Sequence, residues 1–295
     1  METKLNYKRT FLIGLAFLSI CSFWQMYDNI IPLILQNTYH LGETMTGAVM
    51  ALDNVLAIFL LPVFGTLSDK VHTKLGRRMP FIVAGTILAV IFMMLLPMID
   101  NAEKARWGTV ESFSNQVIFL AVLFFTLVSM GLYRSPAVAL MPDVTPNHLR
   151  SRANAVINLM GAVGGVYALI MIKVLVGKGE TPDYLPLFAS IAAVMAIAVG
   201  ILVMTIRENK LREEVEKAEA AIAETIEEKA MAEGVEAVGE IEAVGDTGAV
   251  IASDGEKQTG KTEGTKGMPK EVKRSMYFML ASIFLWFTAY NAVTT

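Results

Sequence analysis

The stretch from Gly65 to Phe81, GTLSDKVHTKLGRRMPF, joins two long apolar runs at residues 45–67 and 80–99. Each run approaches the ~20 residues that a helix needs to cross the hydrocarbon core of a bilayer. The lysines and arginines between them, with Gly76 at the reversal, are typical of a tight loop on the cytoplasmic side of a membrane. The stretch therefore predicts a helix–loop–helix pair in a polytopic membrane protein.

Apolar runs of similar length recur along the chain, and each must be a helix because hydrocarbon does not tolerate unpaired backbone groups. The chain of 295 residues is 54% hydrophobic and only 18% charged. This composition excludes a single soluble globular domain and a disordered protein. Cys21 is the only cysteine, which also excludes a disulfide scaffold. We predict seven spans, at 11–35, 45–67, 80–99, 116–141, 153–176, 185–206 and 275–295.

The charges concentrate between the sixth and seventh spans. Residues 208–274 hold 27 of the 53 charged residues and carry a net charge of −7, whereas the rest of the chain carries +4. No basic stripe suits nucleic acid. We predict an N-terminal six-helix transmembrane bundle (1–207), a charged linker (208–274) and the first helix of a second bundle (275–295). Within the linker, we expect 208–232 to form a solvated helix that extends the sixth span. Six spans, a linker and a seventh span suggest a truncated twelve-helix protein whose C-terminal half is required.

The orientation follows from the short loops, because lysine and arginine accumulate on the cytoplasmic side. The N-terminus and the second and fourth connections hold nine of these residues, and the opposite side holds four. We therefore expect a cytoplasmic N-terminus and linker in a multi-pass protein of the plasma or inner membrane.

One motif in the linker suggests a nucleotide site. Residues Gly255 to Thr262 fit the phosphate-loop pattern G-x-x-x-x-G-K-[ST]. That loop binds phosphate only when it is held between a buried strand and a helix N-terminus, and the flanking residues predict neither. We expect no nucleotide partner.

The loop between the second and third spans carries a more specific pattern. Gly65-x-x-x-Asp69, followed by Gly76-Arg77-Arg78, resembles the signature loop of the major facilitator superfamily. Its long spacing is similar to that of the glycoside–pentoside–hexuronide:cation symporters and, more closely, of the sucrose/proton symporter-like group. That resemblance implies an N-terminal bundle with a 3+3 inverted repeat.

The connection between the fourth and fifth spans also resembles the sucrose group, in the segments 134–143 and 150–155. In that family the acidic and arginine residues of the two loops form a cytoplasmic latch. By matching position, the resemblance assigns the latch to Asp69, Arg77, Asp143 and Arg150. Arg78 would anchor the loop at the interface, and Gly65 would let the second span approach its neighbour.

The chain departs from the melibiose-type members of the family at their sodium ligands. Ala57, Leu61 and Arg134 occupy positions where those members carry aspartates. A hard cation needs several oxygen ligands, so we do not expect sodium coupling. A proton needs only one titratable group, and we expect it to be the coupling ion, with no other cofactor.

Two carboxylates lie within predicted spans, Asp28 in the first and Asp53 in the second, and we predict that they lie at similar depths. An intramembrane acid costs about 2.5–3.5 kcal/mol on insertion scales and is usually functional. Alternatively, Asp28 is interfacial and wet, and Asp53 pairs structurally. Arg134, near the inner end of the fourth span, either reaches the interface or faces a cavity. Trp24, with Gln25 and Asn29 beside it, provides an aromatic plate and polar groups that suit a sugar.

The sequence therefore predicts a proton-coupled sugar symporter that works by alternating access, with the lipid bilayer and a small sugar as its partners. A proton-coupled exporter of drugs or metabolites is an alternative on the same fold. A non-transporting membrane scaffold is an alternative of another class. We do not expect an enzyme, because the sequence presents no nucleophile–base set or metal cluster.

Overall fold

A computed structural model describes residues 5–71, 73–105, 113–177 and 182–232. These residues belong to one compact unit of the chain, and a short 3-10 turn, Asn147–Leu149, precedes the sixth helix. The helices are α1 Tyr7–Asn37, α2 Glu43–Met50, α3 Leu52–Lys70, α4 Met79–Lys104, α5 Phe113–Asp143, α6 Arg150–Leu175, α7 Leu185–Thr205 and α8 Glu208–Ala232.

Six of the predicted spans are confirmed. The described residues contain six helical segments long and apolar enough to cross a membrane: α1, α2 together with α3, α4, α5, α6 and α7. The predicted all-α polytopic fold is therefore confirmed. The predicted seventh span at 275–295 and the phosphate-loop pattern at Gly255 to Thr262 lie outside the described residues.

The second span differs from the uninterrupted helix that the sequence predicts. It breaks at Ala51, between α2 and α3. The axis continues through the break, since the Ala51 N–H donates to the Gly47 carbonyl at 2.9 Å and the Val55 N–H donates to the Ala51 carbonyl at 3.2 Å. The break places Asp53 in the first turn of α3. Backbone N–H groups in a first turn lack intrahelical acceptors and favour a carboxylate.

The packing of the six spans has the symmetry expected of a 3+3 repeat. α1 packs on α6 and α7, α5 packs on α3 and α4, and α4 packs on α7. Exchanging the first three spans for the last three pairs α1 with α5, α3 with α6 and α4 with α7. This exchange converts the α1–α6 contact into α5–α3 and the α1–α7 contact into α5–α4, and it leaves α4–α7 unchanged. The same helix pairs are thus in contact in both halves, as a 3+3 repeat requires, although α1 packs more extensively on α6 than α5 does on α3.

Small residues bring α1 and α6 close together. A Cβ atom at Gly164 would overlap the carbonyl oxygen of Leu18 on the facing helix. At the same level the Ser22 hydroxyl lies 2.8 Å from the Leu18 carbonyl and 2.9 Å from the Gly164 carbonyl, and it donates to both. Such close backbone approach is characteristic of membrane helix pairs, in which van der Waals packing replaces the hydrophobic effect.

Helix α8 is a separate helix and not an extension of the sixth span. Ile206 is extended, with φ −97° and ψ 116°, and it ends α7. α8 then begins at Glu208, which is only 1% exposed, and it buries Leu211 and Val215. The predicted helix at 208–232 is confirmed, but the prediction that it is a solvated extension of the sixth span is wrong, because its first turns are buried. The physical reason is that the Glu208 carboxylate is satisfied at the start of α4, which requires the chain to turn.

Candidate functional site

Three helices line a small, partly open cavity with a volume of about 20 Å³. Trp24 of α1, Asp53 of α3 and Arg134 of α5 supply its polar side chains, and the rest of the lining is apolar or glycine. Apolar walls with a few convergent polar groups are the usual composition of a small-molecule site. We call this space the central cavity; its other lining residues are Leu56, Ala57, Leu60, Leu61, Leu127 and Gly131.

Arg134 and Trp24 are in contact across the cavity. The guanidinium carbon lies 5.5 Å from the centre of the Trp24 ring, which is a cation–π distance. The indole N–H of Trp24 is buried and has no hydrogen-bond partner. Of the two positions that the sequence left open for Arg134, the structure shows its side chain in the lining of the central cavity.

Asp53 is the carboxylate of the central cavity. Its Oδ1 atom is buried and accepts no hydrogen bond. Among the ion pairs of the described residues, none joins Asp53 to Arg134. A buried polar group left without a partner costs roughly 1–3 kcal/mol. The Asp53 carboxylate and the Arg134 guanidinium interact electrostatically, while Asp53 Oδ1 and the Trp24 indole N–H lack a hydrogen-bond partner.

Tyr27 is a neighbour of this site that the sequence analysis missed. Its ring centre lies 5.4 Å from that of Trp24 in an edge-on arrangement and 6.0 Å from that of Phe23. The Tyr27 hydroxyl is buried without a partner, and it interacts electrostatically with Asp53 and Asp28. The available signal was its position three residues after Trp24, but a tyrosine in an apolar helix is ordinarily assigned to packing.

The other first-span candidates lie beside the cavity and not in its lining. Asp28 and Asn29 are exposed, and Gln25 is half-buried. The Asn29 amide donates to the Gln25 carbonyl at 2.7 Å, within its own helix. Asp28 and Asp53 are close enough for their charges to repel each other. The structure thus brings Asp53, Trp24 and Arg134 together and places Asp28 next to them.

At the opposite end of the bundle from this acid pair, the signature loop forms a charge cluster with Arg78 at its centre. The Arg78 side chain is 7% exposed, and it contacts Asp69 at 2.7 Å and Asp143 at 3.0 Å. It also donates to the Ser68 hydroxyl at 2.6 Å. The cluster joins the C-terminal ends of α3 and α5 at the start of α4. We call Asp69, Arg77, Arg78 and Asp143 the latch cluster.

Arg77 and Arg150 contribute less to the latch cluster than the family resemblance implied. Arg77 lies 3.2 Å from Asp143 and 3.9 Å from Asp69. Arg150 donates to the Pro142 and Thr145 carbonyls at 3.0 and 3.3 Å, so it caps the end of α5 and contacts no acidic side chain of the latch cluster.

Gly65 and Gly76, the two glycines of the signature loop, have different structural roles. A Cβ atom at Gly65 would meet the Ser135 hydroxyl of α5 at 3.3 Å, so this glycine allows α3 to approach α5 closely. Gly76 has φ 126°, which L side chains rarely adopt, and a Cβ atom there would overlap the Glu208 carboxylate. A glycine is therefore required at position 76, both because of the positive φ angle and because the Glu208 carboxylate leaves no room for a side chain.

Glu208 is the second residue that the sequence analysis missed. Its carboxylate accepts the backbone N–H groups of Arg77 at 2.8 Å, of Arg78 at 3.0 and 3.1 Å, and of Met79 at 3.1 Å. A carboxylate at a helix N-terminus satisfies otherwise unpaired donors and complements the helix dipole. No periodicity or motif marks this acid among the many glutamates of the linker.

Further contacts gather α8, the N-terminus and both basic loops at one end of the bundle. Arg9 pairs with Glu214 at 2.9 Å. The Asn147 N–H donates to Glu219 at 3.1 Å, and the Asn209 amide donates to the Thr73 carbonyl at 3.0 Å. The loops that the sequence assigned to one side of the membrane therefore do share one end of the structure.

The described residues contain no group of three or more His, Cys, Asp or Glu side chains arranged to hold a metal ion. Among the polar groups of the central cavity, the Trp24 indole N–H and Asp53 Oδ1 have no hydrogen-bond partner. They can form hydrogen bonds with a polar ligand or exchange a proton with it.

Comparison with known proteins agrees with this architecture. The family model of the Major Facilitator Superfamily matches residues 7–295. Similar proteins include a sucrose transport protein of Arabidopsis thaliana, 34% identical over 116 residues, which are 37% of this chain and 22% of that protein. A sucrose transport protein of Oryza sativa subsp. japonica is 26% identical over 137 residues, 44% of this chain and 27% of that protein.

A symporter of Synechocystis sp. is 24% identical over 144 residues, covering 47% of this chain and 25% of that protein. The chain thus spans about a quarter of the length of the curated relatives that it matches.

Proposed function

The chain belongs to the major facilitator superfamily, and on this premise we propose that it is part of a proton-coupled sugar transporter. The resemblance to the sucrose transporter and symporter group, first seen in residues 65–81, is confirmed by the family match and by the names of the relatives. Membership in this family points to a transporter and not to an enzyme. The proposed mechanism is alternating access, in which the six-helix bundle rocks against a second bundle around a midplane site.

The observation that carries the proposal is the convergence of Trp24, Asp53 and Arg134 on the central cavity. A sugar presents apolar ring faces and hydroxyl edges. The Trp24 ring offers a flat apolar surface, and its unpartnered N–H offers a donor at the edge of that surface. The Arg134 guanidinium adds further donors, and Asp53 adds an acceptor.

Asp53 is the proposed proton-binding residue, with Asp28 beside it. Neutralising Asp53 removes a buried charge that has no partner on Oδ1, and a protonated carboxyl gains a donor for the sugar. The proton then favours sugar binding, and by thermodynamic linkage the sugar favours proton binding by the same factor. One carboxylate beside a fixed guanidinium suits a proton better than a hard cation, which requires several oxygen ligands.

We place the protein in the plasma or inner membrane. In the proposed orientation, the latch cluster and α8 lie on the cytoplasmic side. The excess of lysine and arginine in the short loops supports it. So does the clustering of the N-terminus, both basic loops and α8 at one end. The linker at 208–274 and a seventh helix at 275–295, leading into a second bundle, remain predictions.

The test is uptake of radiolabelled disaccharides into proteoliposomes under an imposed inward pH gradient. The wild type is compared with Asp53→Asn and with Glu43→Gln, an exposed acid at the start of the same span. We expect gradient-driven uptake in the wild type and in Glu43→Gln, and its loss in Asp53→Asn. Uptake that ignores the gradient, or survives unchanged in Asp53→Asn, would contradict proton coupling through this residue.

The same preparations distinguish the alternatives. A sugar symporter shows counterflow of labelled sugar, whereas an exporter of drugs or metabolites shows none. A scaffold transports nothing, tolerates Asp53→Asn without consequence and depends instead on the linker.

A further inference from the structure

Tyr27 carries a hydroxyl group that the fold does not use. The side chain is 1% exposed, and its hydroxyl has no hydrogen-bond partner. Its ring contacts Phe23 and Trp24, which a phenylalanine ring would do equally well. A buried donor without an acceptor lowers stability, so the hydroxyl is best explained by a partner in another state of the protein.

The acceptors available to this hydroxyl are few. It interacts electrostatically with two carboxylates, Asp53 and Asp28. Asp28 is exposed and can be hydrated, whereas Asp53 Oδ1 is buried and accepts no hydrogen bond. The unpaired Tyr27 hydroxyl and the unpaired Asp53 Oδ1 are therefore within electrostatic range of each other, and a hydrogen bond between them would satisfy both.

The position of Tyr27 separates its role from that of Trp24. Trp24 lines the central cavity and can present its N–H to a ligand, but Tyr27 is not part of the lining. The Tyr27 ring contacts the Trp24 ring edge-on, with ring centres 5.4 Å apart. Its hydroxyl is therefore suited to a partner within the protein and not to the sugar.

We propose that Tyr27 is a positioning residue of the proton site, whose hydroxyl donates a hydrogen bond to the Asp53 carboxylate when that carboxylate has released its proton. Tyr27 keeps its own proton throughout, and the proton that leaves Asp53 passes to water. The inference rests on the proposed role of Asp53. The other charged or titratable groups that face this site are Asp28, Arg134 and Cys21, the last of which interacts electrostatically with Arg134.

The consequence is a shift in the pH at which the site loads. A hydrogen bond to the ionised form favours that form. Without the hydroxyl, the ionised carboxylate is less stable and the site holds its proton to higher pH. We expect Tyr27→Phe to move the midpoint of proton-dependent uptake upward by about one pH unit, a tenfold change in proton affinity.

The matched control is Tyr39→Phe. Tyr39 also has a buried hydroxyl without a partner, but it packs on Phe119 with ring centres 4.9 Å apart, beyond the end of α1. Its midpoint should equal that of the wild type. Equal midpoints for Tyr27→Phe and the wild type would overturn the inference and leave proton-coupled sugar transport standing.

A measurement without transport keeps the two proposals apart. The chain has three tryptophans, so Trp107→Phe plus Trp286→Phe leaves Trp24 as the sole reporter in purified protein. We expect Trp24 fluorescence to follow a pH transition that Asp53→Asn abolishes and Tyr27→Phe moves upward. Such a shift in a protein that moves no sugar would support the role of Tyr27 while contradicting the transport proposal. The inference would be overturned if Trp24 fluorescence showed no transition that depends on Asp53, or if Tyr27→Phe left the midpoint of that transition unchanged.

Discussion

The carboxylate of Glu208 binds the backbone N–H of Arg78 through both oxygens, at 3.1 and 3.0 Å. This contact joins the first residue of α8 to the start of α4, and it involves the backbone of Arg77 and Arg78, whose side chains belong to the latch cluster. The position of the two loop arginines therefore depends on the linker as well as on the membrane helices.

Replacing Glu208 with alanine should destabilise the bundle by roughly 2 kcal/mol, the upper end of the range for a lost helix cap. Three backbone donors lose their acceptor in a site that is almost fully buried. Thermal unfolding of the purified protein in detergent measures the effect. Glu216→Ala is the control, because its side chain is 63% exposed on the same helix. Equal losses for the two variants would show that the cap is unimportant.

Gly76→Ala should produce the same kind of defect by a different route. The new Cβ atom would overlap the Glu208 carboxylate and occupy a backbone conformation with φ 126°. Because Glu208→Ala removes the overlapping group, Gly76→Ala should cost less in that background than in the wild type. Gly200→Ala, where nothing lies within 4 Å of the added atom, is the control. Strict additivity of the two substitutions would contradict the contact.

Arg78→Lys should lower the unfolding temperature and disturb the latch cluster more than Arg77→Lys does. Arg78 contacts Asp69, Asp143 and Ser68 with different nitrogens of one guanidinium, and a single ammonium cannot reproduce that geometry. Arg77 makes one contact at 3.2 Å and one at 3.9 Å. Labelling of engineered cysteines near the latch cluster, together with unfolding temperature, reports the effect. A larger change in Arg77→Lys would reverse the assigned order.

The seam between α1 and α6 provides a paired test on adjacent residues. At Gly164 an added Cβ overlaps the Leu18 backbone, which cannot move without separating the helices, whereas at Gly165 the nearest atom is the Gln25 side-chain oxygen at 3.7 Å. Gly164→Ala should therefore reduce the yield of folded protein severely, and Gly165→Ala should leave it near the wild-type level. Similar yields would argue against the close helix contact.

The spans and the signature loop could be predicted from the sequence because both depend on local chemistry. A bilayer requires long apolar helices. Between two such helices, the segment Gly76-Arg77-Arg78 indicates a tight basic loop. The break at Ala51 could not be predicted, since its neighbours are ordinary helix formers and the Ala51 bonds keep the axis nearly continuous. The sequence pattern alone also did not distinguish Arg78 from Arg77 as the centre of the cluster.

The residues missed at the sites share a physical cause. Glu208 accepts hydrogen bonds from backbone donors of a distant segment, and the Tyr27 hydroxyl is carried on a ring that otherwise packs like phenylalanine. Neither feature produces a periodicity or a spacing in the sequence. In contrast, Asp53 and Arg134 were detectable because a charge within a membrane span is rare and usually functional.

Asp53 is proposed to couple the movement of a proton to that of a sugar. The most direct measurement is the pH of a weakly buffered medium when sugar is added to proteoliposomes, recorded together with counterflow of labelled sugar at equal pH. The account predicts that sugar alkalinises the medium with the wild type, and that Asp53→Asn abolishes this proton uptake while sugar exchange continues. Proton uptake that persists in Asp53→Asn, or sugar entry without any proton in the wild type, would contradict it.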